Sequence, residues 1–284
     1  MKEQTEKIKG SVKENIDLML KPLMAILPGQ ISFFVILSII PLASLIFMVI
    51  SKLSLNFDFV TNFVTHYIPS SAANVVLDIF TQQKVGAIDI FFIAMALYLA
   101  SKATHSIIVA ATEIYNGKQR DFFRTRIKAI IILIILILLI VVLIAVLTFG
   151  GKFLTYLSEV NGNVYYYANI VYQIIKWPFV FFMMFFVIKV IYTVAPNVNI
   201  PSYSVNKGAL FTSVVWVVST YAFSFYVTNL ANFSKFYGNL SSLIILMIWI
   251  YWLCYIFVYG MTINEYKFNT KQKNDCEVQL EEGV

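Results

Sequence analysis

Polar side chains that could bind an anion or pass protons follow one face of a long apolar segment, residues 88–112. On a wheel of about 100° per residue, they fall within an arc of about 100°, and a carboxylate follows just beyond it. They are Tyr98, Ser101, Lys102, His105, Thr112 and, at the end, Glu113. Lys102 and His105 are neighbours at a spacing of three, and an amine beside an imidazole could hold an anion or relay protons. The pattern predicts a polar path.

A second polar face precedes a proline in another apolar segment, residues 170–194. Gln173 and Lys176 lie on this face, and we expect them to border the same path. Proline removes a backbone hydrogen bond within a helix, so Pro41 and Pro178 are predicted helix kinks.

The two ionisable side chains of the first face need an explanation, because such a group in hydrocarbon costs about 2.5–3.5 kcal/mol on insertion scales. They should therefore face protein or water. In the functional interpretation, Lys102 and His105 line a path for a substrate or an ion. In the alternative, Lys102 makes one buried ion pair and His105 one interhelical hydrogen bond, and both serve packing.

Residues for hydrolytic or metal chemistry are scarce. The chain has two histidines, His66 and His105, and two cysteines, Cys254 and Cys276. It has no His-x-His, no His-Glu-x-x-His, no cysteine pair at metal spacing, no phosphate-binding glycine loop and no nucleophile elbow. The sequence therefore predicts no catalytic residue, no metal and no cofactor, and it argues against an enzyme.

The composition identifies the solvent of most of the chain. Of its 284 residues, 60% are hydrophobic and 13% are charged, and the mean hydropathy is +0.78, far from the soluble average. The net charge of +6 does not indicate a nucleic-acid partner, because the cations gather at the edges of apolar segments. We expect an all-α, polytopic membrane protein whose partners are the lipid bilayer and a small solute, an ion or a lipid.

Six apolar runs are long enough to cross about 30 Å of hydrocarbon, which takes roughly 20 helical residues. They are 31–51, 88–112, 128–150, 170–194, 208–230 and 240–262. Outside these runs or at their ends, fourteen lysines and arginines fall on the side that holds both termini, against Lys52, Lys84, Lys152 and Lys235 on the other. By the positive-inside rule, both termini are predicted to be cytoplasmic.

The segments outside the runs are also patterned. Residues 1–30 are predicted to carry a cytoplasmic interfacial helix over 11–24, which packs on lipid or on the cytoplasmic loops and ends at Pro28-Gly29. Residues 52–85 are predicted to form two short amphipathic helices on the external surface, which cover a cavity or shield the ends of the spans. Residues 263–284 complete the chain as a cytoplasmic tail after the six-helix domain, 31–262.

Several motifs in the second half of the chain recur together in one known group of proteins. They are Trp177-Pro178, Ala195-Pro196-Asn197, Gly208-Ala209, Tyr237-Gly238, Trp249-Ile250-Tyr251, and Gly260 with Asn264. In their order and spacing, they resemble the YihY/BrkB family of bacterial inner-membrane proteins. The resemblance implies a six-helix fold in the bacterial cytoplasmic membrane with both ends in the cytoplasm. The chain departs from the family pattern at Thr262, where the usual residue is glutamate, and at Ser241, where it is glycine.

Many members of that family carry a ribonuclease label, which the residues of this chain do not support. Two functions remain from the sequence. In the first, the protein transports or translocates a solute, ion or lipid through a polar intramembrane cavity. In the second, it is an envelope scaffold that binds partners through 52–85 and its tail. The sequence sets no oligomeric state.

Overall fold

The computed structural model describes residues 20, 22–52, 61, 65, 90–119, 121–160, 162–229, 235 and 237–282. These residues form six long helices and no strand. The helices are α1 (Pro22–Lys52), α2 (Ile90–Ile114), α3 (Phe122–Val160), α4 (Gly162–Val194), α5 (Asn206–Asn229) and α6 (Ser241–Glu282). A short 3-10 turn, Gly238–Leu240, leads into α6, and Gly238 has a φ of +53°, which a glycine adopts without strain.

Each of the six helices is long and apolar enough to cross a membrane. In lipid, every backbone N–H and C=O must be paired within the segment, so long apolar runs can only be helical there. The all-α class and the six predicted spans are confirmed.

The predicted break at Pro28-Gly29 is wrong, because α1 runs without interruption from Pro22 to Lys52. Helices at membrane depth tolerate proline where side chains and neighbours satisfy the backbone. Pro28 removes the hydrogen bond to the Met24 carbonyl, but Met24 and Leu27 are buried in the core of the bundle, and this packing holds the turn in the helix. The other two prolines, Pro41 and Pro178, also lie inside continuous helices.

The helices pack in chain order. Each contacts the next along the chain, and α6 returns to α1, so that the principal contacts form a closed cycle. The core within this cycle is apolar, and Tyr192, Ile108 and Val258 are fully buried in it. The predicted tail begins as a continuation of α6, which extends to Glu282. The predicted helices of 11–24 and 52–85 lie almost wholly outside the described residues and stay predictions.

Two glycines allow the closest helix contact, between α5 and α6. A Cβ on Gly208 would lie 2.5 Å from the Asn264 side-chain amide and closer still to the Gly260 carbonyl oxygen. The Gly208 N–H donates to Asn264 Oδ1 at 2.8 Å. The Tyr192 hydroxyl, from α4, donates to the Phe257 carbonyl at 2.6 Å and lies 2.8 Å from Thr212 Oγ1. The family-motif residues Gly208, Gly260 and Asn264 therefore hold α5 and α6 together.

Candidate intramembrane anion site

Two cations meet on one aromatic ring between α2 and α3. The guanidinium carbon of Arg126 lies 4.0 Å from the centroid of the Tyr98 ring, and Lys102 Nζ lies 5.9 Å from the same centroid. Arg126 also donates a hydrogen bond to the Tyr98 carbonyl oxygen. His105 follows Lys102 at a spacing of three, on the same face of α2. We call Tyr98, Lys102, His105 and Arg126 the cation cluster.

Hydrogen bonds between helices fix the position of the cluster on α2. Thr104 Oγ1 donates to the Ala129 carbonyl of α3 at 2.8 Å, and Ser38 Oγ of α1 donates to the Leu99 carbonyl at 3.2 Å. Both donors are buried. A hydroxyl that bonds across helices in lipid has no competing water, so these contacts set the register of α2 against its neighbours.

The cluster carries positive charge that no described carboxylate neutralises. In the described ranges, no Asp or Glu oxygen lies within 4.0 Å of Lys102 or Arg126; Arg124, two residues away, does pair with Asp121, at 3.8 Å on the exposed surface. Arg126 is only 9% exposed, and its Nε has no hydrogen-bond acceptor among the described residues. The Tyr98 carbonyl and ring are neutral partners, and a buried cation without a counter-ion keeps a desolvation penalty of several kcal/mol. The cluster is therefore suited to bind an anion.

The predicted stripe divides between two faces of α2. Tyr98 is 48% exposed, Lys102 and His105 are partly exposed, and Glu113 is exposed. Ser101 and Thr112 are fully buried against the bundle, where their hydroxyls donate to the Tyr98 and Ile108 carbonyls of their own helix. The charged part of the stripe faces outward, beside the exposed ring of Phe122 at the start of α3.

The polar residues of α4 do not join this cluster. Gln173 is exposed, and Lys176 Nζ lies 5.5 Å from the centroid of the neighbouring Trp177 ring. Helix α4 packs mainly against α3 and α5. The described structure thus brings Tyr98, Lys102 and His105 together and leaves Gln173 and Lys176 apart from them.

A different lysine closes the end of α4. Lys128 Nζ donates to the Ala195 and Pro196 carbonyls at 2.9 and 2.8 Å and to Asn197 Oδ1 at 3.0 Å. A cation at a helix C-terminus pairs with carbonyls that the helix itself leaves free. These side chains border a cavity of about 610 Å³ that continues along residues 198–201. The family-motif residues Pro196 and Asn197 therefore form part of a helix-terminating clamp.

A second cavity, of about 360 Å³, is almost entirely apolar and lies between α1 and α6. One wall is a stripe on α1, and the other is the face of α6 from Leu246 to Phe257 that includes Trp249. This space is partly open to the surface of the bundle, so molecules of the surrounding bilayer have access to it.

The remaining motif positions lie near the lipid or near the end of α6. Tyr237 is 49% exposed and Tyr251 is 42% exposed. Thr262, which stands at the family's carboxylate position, donates to the Val258 carbonyl.

A buried carboxylate, Glu265, lies one turn further on. Burial of the Tyr115 phenol, together with the negative charge of Glu265, raises the pKa of that phenol well above its usual range. Sequence reasoning did not single out Glu265.

Arg126 is the cluster residue that sequence reasoning missed. In the sequence, Arg126 is one of the cations that set orientation in the membrane and belongs to the stretch 120–126 that resembles the family, and nothing in linear spacing relates it to Tyr98, 28 residues earlier. A signal is present, however. On a helix, Arg124 and Arg126 point about 200° apart, so one of the pair must turn toward the bundle.

Residues 24–281 match the model of a protein family described as Virulence factor BrkB. The match covers nearly all of the helical bundle. The chain belongs to the BrkB family. This confirms the resemblance to the YihY/BrkB family that the motifs predicted.

Curated relatives of this BrkB-family chain carry two kinds of name. It is 28% identical to a ribonuclease-like protein, YfkH, of Bacillus subtilis (strain 168), over 87% of this chain and 91% of the relative. It is 26% identical to a UPF0761 membrane protein of Histophilus somni (strain 2336), over 36% of this chain and 35% of the relative. No solved structure matches it. Among the described residues, no three His, Cys, Asp or Glu side chains group as metal ligands would.

Proposed function

We propose that this BrkB-family membrane protein translocates an anionic lipid, whose phosphate group moves along the cation cluster on the outer face of α2 and α3. The single observation that supports this most strongly is the buried guanidinium of Arg126, which contacts the same Tyr98 ring as Lys102 and has no carboxylate partner in the described structure. Arg126 lies near the start of the candidate span Phe122–Leu147, and a buried cation there needs an anionic partner. A phosphate supplies that partner, and arginine binds it in a planar, two-pronged geometry.

The direction in which the cluster faces favours a lipid over a free anion. Tyr98 and Phe122 are 48% and 60% exposed, on a surface that acyl chains would contact. A headgroup can reach this surface sideways while its acyl chains stay in hydrocarbon. A small anion would need a water-filled route, and neither the 610 Å³ cavity nor the 360 Å³ cavity is lined by a cluster residue.

The cluster residues have distinct roles in this proposal. Arg126 binds the phosphate, and its contact with the Tyr98 ring holds the guanidinium in place. Lys102, one turn after Tyr98 on α2, offers a second positive charge, so the phosphate passes from the Arg126 guanidinium to the Lys102 amine. Glu113, exposed at the end of α2, repels the phosphate and favours its release. By the positive-inside pattern, both termini lie in the cytoplasm, and the membrane is the bacterial cytoplasmic membrane.

The test is translocation in proteoliposomes that contain phosphatidylglycerol labelled on its acyl chain with a fluorophore that an external reductant quenches. We expect Arg126→Gln to slow translocation by at least about tenfold, because a hydrogen bond to a charged group contributes about 1.5–3 kcal/mol. The matched control is Arg124→Gln, which removes the same charge from a side chain that is 76% exposed. Arg126→Lys keeps the positive charge but loses the planar, two-pronged guanidinium, so its translocation rate should lie between those of wild type and Arg126→Gln.

Two further arms distinguish the source of the anion. Labelled phosphatidylcholine should be translocated more slowly than phosphatidylglycerol. Uptake of radiolabelled inorganic phosphate into the same vesicles should be absent; uptake that Arg126→Gln abolishes would instead make the substrate a free anion. Equal rates for wild type and for both glutamine variants would refute the assignment of the cluster.

The scaffold function has one observation in its favour. Phe122 and Phe123, at the start of α3, are 60% and 78% exposed and could bind a partner protein beside the cluster. In that case, replacing residues 52–85 or the tail would abolish function in cells, and the Arg126 and Lys102 substitutions would not.

A further inference from the structure

The apolar cavity between α1 and α6 is long and narrow. Its α1 wall runs from Ile31 to Ile46, about 22 Å at about 1.5 Å per residue. Ile107 of α2, Ile191 of α4 and Trp216 of α5 also line it. Five of the six described helices therefore contribute to one elongated groove that is partly open to the surface of the bundle.

Water is a poor occupant of this space. A buried water needs two to four polar partners. The lining side chains are aliphatic and aromatic, and only Trp216, Trp249 and Cys254 carry a polar atom or a sulfur. The indole N–H of Trp216 already donates to the Leu253 carbonyl at 2.9 Å. An engineered cavity of about 150 Å³ with such a lining stays dry and takes an apolar guest; this one is more than twice as large.

One polar atom in the lining lacks a partner. Trp249 Nε1 is buried and has no acceptor among the described residues. An unpaired indole N–H in an apolar site is satisfied by a carbonyl oxygen on the ligand itself. The occupant should then be mostly hydrocarbon, elongated, and equipped with an oxygen acceptor.

We propose that the cavity binds one acyl chain of an ester-linked membrane lipid, with an ester or carboxyl oxygen of that lipid accepting from Trp249 Nε1. The membrane surrounds the bundle with this ligand at high concentration, and the chain matches the length and the polarity of the space. The site is separate from the cation cluster, because Ile107 and Tyr98 lie on opposite sides of α2 at helical spacing. It does not depend on the translocation proposal.

Tryptophan fluorescence in brominated bilayers tests this inference. Bromine on an acyl chain quenches an indole only by contact. The full chain carries four tryptophans, of which Trp177 and Trp252 are 41% and 48% exposed and would be quenched by any lipid. In the variant Trp177→Phe/Trp252→Phe, the two remaining indoles line the cavity, and we expect phosphatidylcholine with brominated chains to remove most of their emission.

Filling the cavity should restore that emission. In the Trp177→Phe/Trp252→Phe variant, the added substitutions Val35→Phe/Ile39→Phe fill the space from α1. If that protein fails to fold, Cys254→Leu fills the space from α6 instead. The matched control is Leu37→Phe, which enlarges a side chain on α1 that is 48% exposed and should leave quenching unchanged. An unquenched parent, or equal quenching of the filled variants and the control, would overturn the inference.

Discussion

A methyl group added at the α5–α6 crossing should separate the two helices. In Gly208→Ala, the new Cβ would lie 2.5 Å from the Asn264 amide and closer to the Gly260 carbonyl oxygen. The Asn264 side chain is fully buried and the carbonyl belongs to the backbone, so neither can turn away. The helices would have to move apart by about 1 Å to restore van der Waals separation.

The cost of this movement follows from what it breaks. Overpacking costs about 1–3 kcal/mol, and loss of the Gly208 N–H to Asn264 Oδ1 bond leaves buried polar groups unpaired, at about 1–3 kcal/mol more. We expect a total of about 3–5 kcal/mol. At about 2–4 °C per kcal/mol for chains of this size, the unfolding temperature should fall on the order of 10 °C.

Thermal unfolding of the purified protein in one detergent measures this effect. The control is Gly29→Ala on α1, where an added Cβ meets nothing within 4 Å; there alanine should be neutral or stabilising, because it favours the helix by about 1 kcal/mol. If Gly208→Ala and Gly29→Ala melt within 2–3 °C of each other, a spread of about 1 kcal/mol, the close crossing is absent.

Two further substitutions probe the same framework. Lys128→Met removes three hydrogen bonds to the residues that follow α4; it should destabilise by on the order of 3 kcal/mol and expose the link to α5 to protease, and an unchanged melt and cleavage pattern would contradict the clamp. Tyr192→Phe removes the hydroxyl that donates to the Phe257 carbonyl and lies 2.8 Å from Thr212 Oγ1; it should lower stability by about 0.5–1.5 kcal/mol, the usual net contribution of one hydrogen bond, which is less than Gly208→Ala. A melt equal to that of wild type would show that this hydroxyl does not link α4 to α6.

The fold could be predicted from the sequence because the bilayer permits few solutions. Long apolar runs must be helical in hydrocarbon, so the six spans follow from length and hydropathy alone. The same rule explains the error at Pro28-Gly29. In water, that pair ends helices, but in this setting the packing of Met24 and Leu27 in the core keeps α1 continuous.

The site was only partly predictable, because a helical wheel gives directions within one helix and nothing about its neighbours. It placed Tyr98, Lys102 and His105 together, as the structure does. It could not separate Ser101 and Thr112, which lie at the edge of the same arc and face the bundle. The position of Arg126 depends on the register between α2 and α3, which the bond from Thr104 to Ala129 sets. No spacing in the chain contains that information.

The central claim is that an anion from outside the chain neutralises the cation cluster. An experimental map of the full protein in phosphatidylglycerol nanodiscs tests it most directly. The account predicts a phosphate within about 3 Å of Lys102 Nζ or of an Arg126 Nη atom, the ordinary length of a charge-assisted hydrogen bond. A carboxylate of the protein itself in that place, or acyl chains alone against both cations, would contradict it.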